Sequence, residues 1–201
     1  MVMVAAAILA GGRATRLGGR DKAALPLGDL RLIERQLDAL RAVTTDVFIV
    51  TNQPERYASL GLPAHRDRRP GAGALGGIHT AILASPASQT LVVACDLPFL
   101  SPAFLRHLAA RGRGADLAIP RSAGGYEPLC ASYARACADP IGRLIEAGRL
   151  KAAGVVTAGL RVIEIGPDEC ASFDPDGTLF LNVNTPDDYA RALARLDRRA
   201  T

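Results

Sequence analysis

The sequence predicts an α/β domain with a mainly parallel central sheet and helices on both faces. Three observations lead there. Short apolar runs of strand length alternate with segments of helical period, which implies crossover connections. The chain has 201 residues, 49% hydrophobic and only 4% aromatic with no Trp, so small aliphatic side chains must pack helix against sheet. Glycines, amides and carboxylates fall directly after the apolar runs, at the strand ends where such sheets bind ligands. A chain of this length suits one domain, residues 1–201, and no repeat or low-complexity linker divides it.

Residues 2–9 read as the first, buried strand. The opening MVMVAAAILA lacks the charged leading region of a signal peptide and runs straight into a glycine loop. A turn at Gly28-Asp29 starts a helix over 31–42, with Leu32, Ile33, Gln36, Leu37 and Leu40 on one face. A strand at 46–50 leads through the glycine-rich stretch 65–77 into a helix at 76–83. A strand at 90–94, a helix at 102–110, strands at 116–119 and 129–133, and a helix at 141–146 follow. Strands at 161–165 and 178–181 precede a helix over 186–196, capped by Thr185 with Pro186 at its first position. The basic end RALARLDRRAT suits the C-terminus of a surface helix, whose dipole favours cations.

The densest chemical signal is AAAILAGGRATRLGGRDKAAL, residues 5–25. A strand that stops at Gly11-Gly12 exposes backbone N–H groups, and Arg13, Arg16 and Lys22 can close around an anion there. A triphosphate fits that description. The segment matches neither GxxxxGK[ST] nor GxGxxG, so the common phosphate loops are excluded. Arginines can grip phosphate bidentately while Lys22 acts as a point charge. Arg20 reads as an ordinary surface charge.

Asp96 follows a fully apolar strand in LVVACDLPFL. One carboxylate facing a phosphate pocket suits Mg²⁺, which takes one or two carboxylates, waters and phosphate oxygens. The plain alternative is a turn or cap aspartate. Asp67 lies in a loop whose Gly76-Gly77 pair could present N–H groups at a helix start, which makes Gly77 a candidate nucleotide contact. His79 reads as a packed residue, with no Cys, His or acidic cluster around it. Alternation along an extended chain would put the amides of Asn182 and Asn184 on one side, facing phosphate or metal-bound water.

Several classes are excluded. The net charge of +4 is modest, and no basic patch with interleaved aromatics suggests nucleic acid. No apolar run is long enough to span a bilayer. Cys95, Cys130, Cys137 and Cys170 show neither a CxxC pair nor metal spacing, so reduced, buried thiols are expected. A cytoplasmic protein is the expectation.

Taken together, LAGGRATRLGGRDKAAL, CDLP and NVNTPDD resemble the molybdenum cofactor guanylyltransferases from about residue 8 to residue 193. The resemblance implies a Rossmann-like nucleotidyltransferase fold, with GTP, molybdopterin and Mg²⁺ as its ligands. The implied reaction attaches GMP to the terminal phosphate of molybdopterin and releases pyrophosphate. Carried over by position, Leu9, Ala10 and Gly11 would contact the nucleotide and Gly12 would shape the phosphate loop. Lys22 would bind phosphate, Asp67 would join the nucleotide site, and Asp96 would hold Mg²⁺. Asn182 and Asn184 would lie near the metal or pterin end. The resemblance gives Asn52 only a weak match and leaves Tyr126 and Glu127 without a role. The lability of free molybdopterin implies transient contact with proteins that deliver it or mature molybdoenzymes.

Three alternatives stand beside this reading. A cytidylyl relative would use CTP, although such enzymes tend to read LAAG where this chain has LAGG. Sugar-1-phosphate nucleotidyltransferases usually carry proline before the lysine, where this chain has Asp21. A non-catalytic module that senses GTP would bind nucleotide without releasing pyrophosphate.

Overall fold

In a computed structural model, the structure describes residues 4–11 and 22–200. Strand β1 (Val4–Leu9) is followed, after a short 3-10 turn at Lys22–Ala24, by a hairpin of β2 (Pro26–Leu27) and β3 (Leu30–Arg31). Gly28 turns this hairpin at φ +64°, a left-handed conformation that glycine adopts without strain. Helix α1 (Leu32–Arg41) starts directly after it, its first turn held by the Glu34 carboxylate accepting the Arg31 N–H at 2.7 Å. Then come β4 (Val47–Val50), β5 (Ala64–His65), α2 (Gly73–Ala84), β6 (Gln89–Ala94) and α3 (Pro102–Gly112). Strands β7 (Leu117–Ser122), β8 (Gly125–Tyr126) and β9 (Cys130–Ala134) precede α4 (Ala138–Glu146). The chain closes with β10 (Val162–Ile165), α5 (Pro167–Ala171) and α6 (Pro186–Ala200).

The main sheet runs β10-β7-β9-β6-β1-β4-β5, with β8 paired to β7. Strand β1 is parallel to both β4 and β6, β4 to β5, and β7 to β10. Strand β9 is inserted antiparallel between β6 and β7. The expected mainly parallel sheet is therefore present. Period-two alternation explains how it is covered. In β1, Ala6 and Ile8 join one core with α1 and α3, while Ala5, Ala7 and Leu9 join the other with α2 and α4. Six buried residues in a row on β6 face both layers in the same way. A third, smaller core joins Leu27, Leu32, Phe99 and Val183 to α6 through Ala192.

This order fixes where a ligand fits. The chain leaves β1 toward β4 and β5, then crosses back to β6 on the other side of β1. The crevice outside the carboxyl ends of β1 and β6 is thus the topological switch point. Gly11 and Asp96 lie just beyond those two ends.

The expected strand at 178–181 does not form. The Asp174 carboxylate accepts the N–H groups of Thr178 at 2.8 Å and Leu179 at 2.9 Å, which curls this segment into a turn. Leu179 is buried, Leu181 packs against the third core, and the half-buried Phe180 ring meets Phe104 of α3 edge-on at 5.7 Å. Helix α5 was not expected. It docks on α3 through a 2.6 Å contact between His107 Nε2 and Glu169 Oε1. Among the described residues no helix is long and apolar enough to cross a membrane.

Candidate functional site

The switch point is assembled by backbone bonds between distant segments. The Cys95 N–H donates to the Leu9 carbonyl at 3.1 Å, and the Ala10 N–H donates to the Val50 carbonyl at 2.9 Å. The Val183 N–H donates to the Asp96 carbonyl at 2.9 Å, which brings the C-terminal turn to the end of β6. Behind them, Gln36 is buried on α1 and its amide donates to the Ala94 carbonyl at 2.7 Å. Sequence reasoning placed Gln36 on the apolar face of this helix. A polar residue in an apolar stripe was the signal that it braces a strand end.

Three side chains named from the sequence meet here. Lys22 Nζ donates to Asn184 Oδ1 and lies 3.9 Å from Asp96 Oδ2. The other Asp96 oxygen, Oδ1, is buried and has no hydrogen-bond partner among the described residues. Burial pushes the Asp96 carboxyl above its usual range, and Lys22 together with Asp96's own backbone pulls it only part of the way back. A buried carboxylate oxygen without a donor is costly. It is also the atom a hard cation would take. Among the described residues no group of three acidic, His or Cys side chains forms a metal cluster. The residues therefore fit Mg²⁺, which needs a single carboxylate when phosphate and water complete its shell.

A second group surrounds Asp67. Its Oδ1 accepts from the Thr80 hydroxyl at 3.0 Å and the Arg69 N–H at 2.9 Å, while its own N–H donates to Asn52 Oδ1 at 3.2 Å. Thr80 Oγ1 also accepts from the Arg68 N–H at 2.9 Å. Fully buried on α2, Thr80 thus ties the loop after β5 to the helix. Asn52, only weakly matched from the sequence, anchors Asp67 across that gap. Thr80 was missed because one threonine inside a helix carries no sequence signal.

Gly76 and Gly77 differ from expectation. Helix α2 begins at Gly73, so both lie a turn inside it and neither presents a free N–H at the helix start. They are packing glycines. A Cβ on Gly77 would sit 3.2 Å from Leu9 Cδ1, so Leu9 rests on that bare backbone. A Cβ on Gly76 would sit 2.8 Å from the Arg69 carbonyl and 3.1 Å from Asp67 Oδ2. Gly76→Ala should therefore cost about 1–3 kcal/mol through overpacking and displace Asp67, which on the reading proposed below weakens nucleotide binding. Denaturant titration and calorimetric nucleotide binding check this; no change in either would mean that the loop slides without consequence.

The remaining candidates divide clearly. Leu9 and Ala10 are buried at the end of β1, and Gly11 is exposed with open space where a side chain would go. Gly12, Arg13 and Arg16 lie outside the described residues. Asn182 is exposed, and its amide donates to the Phe180 carbonyl at 3.4 Å. Half-buried Asn184 accepts from Lys22 instead, so the two amides have different partners. His79 is packed as expected, against Gly142 of α4, and burial followed by the charges of Arg69 and Arg68 lowers its pKa below the ordinary imidazole value. Burial holds the Cys137 thiol up at about 12 and the Cys170 thiol at about 11, so neither supplies a thiolate. All four cysteines are buried and none is in a disulfide. The Tyr126 hydroxyl donates to Glu164 at 2.7 Å, which ties β8 to β10, and Glu127 accepts from the Ser122 hydroxyl at 2.6 Å beside the β7-β8 hairpin.

A family model described as a MobA-like NTP transferase domain matches residues 6–159. The chain is 33% identical over 197 residues to a molybdenum cofactor guanylyltransferase from Desulfosudis oleivorans, covering 98% of this chain and 97% of that one. It is similar to the crystal structure of molybdopterin-guanine dinucleotide biosynthesis protein A from Archaeoglobus fulgidus, with a TM-score of 0.82 and 30% identity. That match covers 98% of this chain and all of the other. The 2-C-methyl-D-erythritol 4-phosphate cytidylyltransferase from Thermus thermophilus shares the fold alone, at a TM-score of 0.71 and 17% identity over 98% of this chain and 100% of that one.

Proposed function

The chain belongs to the MobA-like NTP transferase family, and from that premise we propose that it transfers GMP from GTP to the terminal phosphate of molybdopterin. One observation carries the reading: Asp96, Lys22 and Asn184 converge outside β1 and β6, with a buried carboxylate oxygen left without a donor among the described residues. The full-length similarity to guanylyltransferases selects the substrates. Residues 1–201 act as one nucleotidyltransferase domain in this reading, which the continuous main sheet supports, and the proposed location is the cytoplasm. Contact with proteins that deliver molybdopterin or mature molybdoenzymes is transient.

In the transfer, an oxygen of the molybdopterin phosphate forms a bond to the α-phosphorus of GTP. The bond from that phosphorus to the bridging oxygen breaks, and pyrophosphate leaves with the electron pair. No base is needed, because a phosphate monoester is largely ionised at neutral pH. The barrier is charge repulsion between two anions, so the site's work is neutralisation and alignment. Lys22 brings a point charge to the phosphates, and neutral Asn184 orients its ammonium without cancelling that charge. Asp96 would hold Mg²⁺, which when bound supplies positive charge to the triphosphate and the departing pyrophosphate. Asp67 fixes the loop beside the nucleotide through Thr80 and Asn52. Gly11, with open space among the described residues where a side chain would go, gives the nucleotide a close approach to backbone just beyond β1, with Leu9 and Ala10 buried behind it. Gly12, Arg13 and Arg16 complete the anion loop in this reading, and Asn182 faces the acceptor.

Pyrophosphate release measured with each of the four NTPs, Mg²⁺ and molybdopterin tests this. Release with GTP alone is the expected result. A preference for CTP would keep the mechanism and overturn the product. Tight GTP binding without pyrophosphate release from any nucleotide would make the protein a sensor.

A further inference from the structure

Asp188 lies in the first turn of α6 and holds more than the helix end. Its Oδ2 accepts the Thr185 N–H at 2.9 Å, and its own N–H donates to Thr185 Oγ1 at 3.1 Å, a reciprocal capping box. That exchange alone would satisfy the helix start. The same Oδ2 reaches one residue further back and accepts the Asn184 N–H at 3.1 Å, outside the helix. Arg191 holds the other carboxylate oxygen. Partial burial opposes the charge, but bonds from the Thr185 hydroxyl, the Asn184 N–H, Arg191 and the Thr185 N–H outweigh it and keep the carboxyl below its usual range.

Asn184 is the residue that accepts the Lys22 ammonium, and its neighbour Val183 donates to the Asp96 carbonyl. One carboxylate therefore fixes the backbone from which the Lys22 acceptor projects. This matters because a lysine ammonium on a flexible four-carbon stem has no preferred direction of its own. We propose that Asp188 is a positioning residue for nucleotidyl transfer: it orients Asn184, and through Asn184 it aims the Lys22 ammonium beside Asp96. The proposal rests on the reading that Lys22 binds nucleotide phosphate.

The test has a readout independent of any substrate. The rate at which Lys22 is modified by an amine-reactive reagent is followed by mass spectrometry at fixed pH, without nucleotide. Asp188→Ala should raise that rate about threefold or more, the low end of coupling within one hydrogen-bond network. Asn184→Ala should raise it equally, and the double variant no further. Asp188→Glu, with the residue most common at this capping position, should restore the wild-type rate. Asp188→Asn keeps an acceptor oxygen and should give an intermediate rate, which secures the test if the alanine variant folds poorly. In turnover, Asp188→Ala should lower kcat/KM for the nucleotide about tenfold or more, with no added loss in the Asn184→Ala background. A fall in Tm with unchanged Lys22 labelling would reduce Asp188 to a helix cap and overturn the proposal. Labelling as expected with no pyrophosphate release from any NTP would instead fault the transferase reading and leave the positioning network standing.

Discussion

Asp96→Asn is expected to lower turnover by roughly two orders of magnitude or more, the usual loss when a charge-stabilising element is removed, while leaving the protein at least as stable at neutral pH. Both halves follow from the same atom. Asp96 Oδ1 is buried without a donor among the described residues, and burial raises the carboxyl above its ordinary value of 3.8. A carboxyl whose folded pKa is raised holds its proton more tightly in the native state. The stabilisation this gives is fully present below the unfolded pKa and is lost as pH rises through the folded one. The native surroundings therefore do not fully support the ionised form of this group.

Asparagine keeps the shape and removes that charge, so its Tm should equal or exceed that of the wild type at pH 7, and the gap should close on acidification toward the unfolded carboxyl value. Mg²⁺ affinity of the wild type should fall over the same interval, because the proton competes for the carboxylate. Calorimetric melting from pH 3 to 8, with turnover at saturating Mg²⁺, checks the set. Turnover near the wild-type value would remove Asp96 from the chemistry.

Phe104→Ala should do the reverse, costing about 3–5 kcal/mol of stability and lowering Tm by roughly 10 °C for a chain of this size. Phe104 is completely buried, with the rings of Phe173 and Phe180 edge-on at 5.8 and 5.7 Å. It is the point where α3 meets the segment after α5, so truncation removes ring contacts on two sides and leaves a cavity. The midpoint of a denaturant titration should fall with an unchanged slope. A loss under about 1 kcal/mol would mean that the site collapses to fill the void, which the expected cost for a buried ring excludes.

Much of the site was readable before any fold was known. Asp96, Lys22 and Asn184 were named from their chemistry and their position after apolar runs, and the structure brings all three together. Gly77 lies inside α2 against Leu9, not at the helix start where an N–H would be offered. A glycine near a helix start looks the same in sequence whether it offers an N–H to a ligand or yields space to Leu9. The segment 178–181 misled because Thr, Leu, Phe and Leu satisfy strand propensity, whereas the competing acceptor, the Asp174 side chain, lies before the run. Asp188 belongs to a readable T-x-x-D capping pattern, but its further bond to Asn184 does not follow from that pattern.

The sequence by itself determined the alternation of strands and helices, the two-faced burial of β1 and β6, and the charges gathered at their ends. These are local properties, set by side-chain periodicity and by what glycine and proline permit the backbone. Tertiary structure alone decided that β9 runs antiparallel between β6 and β7, since alternation reads the same in either direction. It also decided that Lys22 meets Asn184 across 162 residues of chain. Such a contact depends on strand order and on where the last turn closes, and no local pattern carries that information.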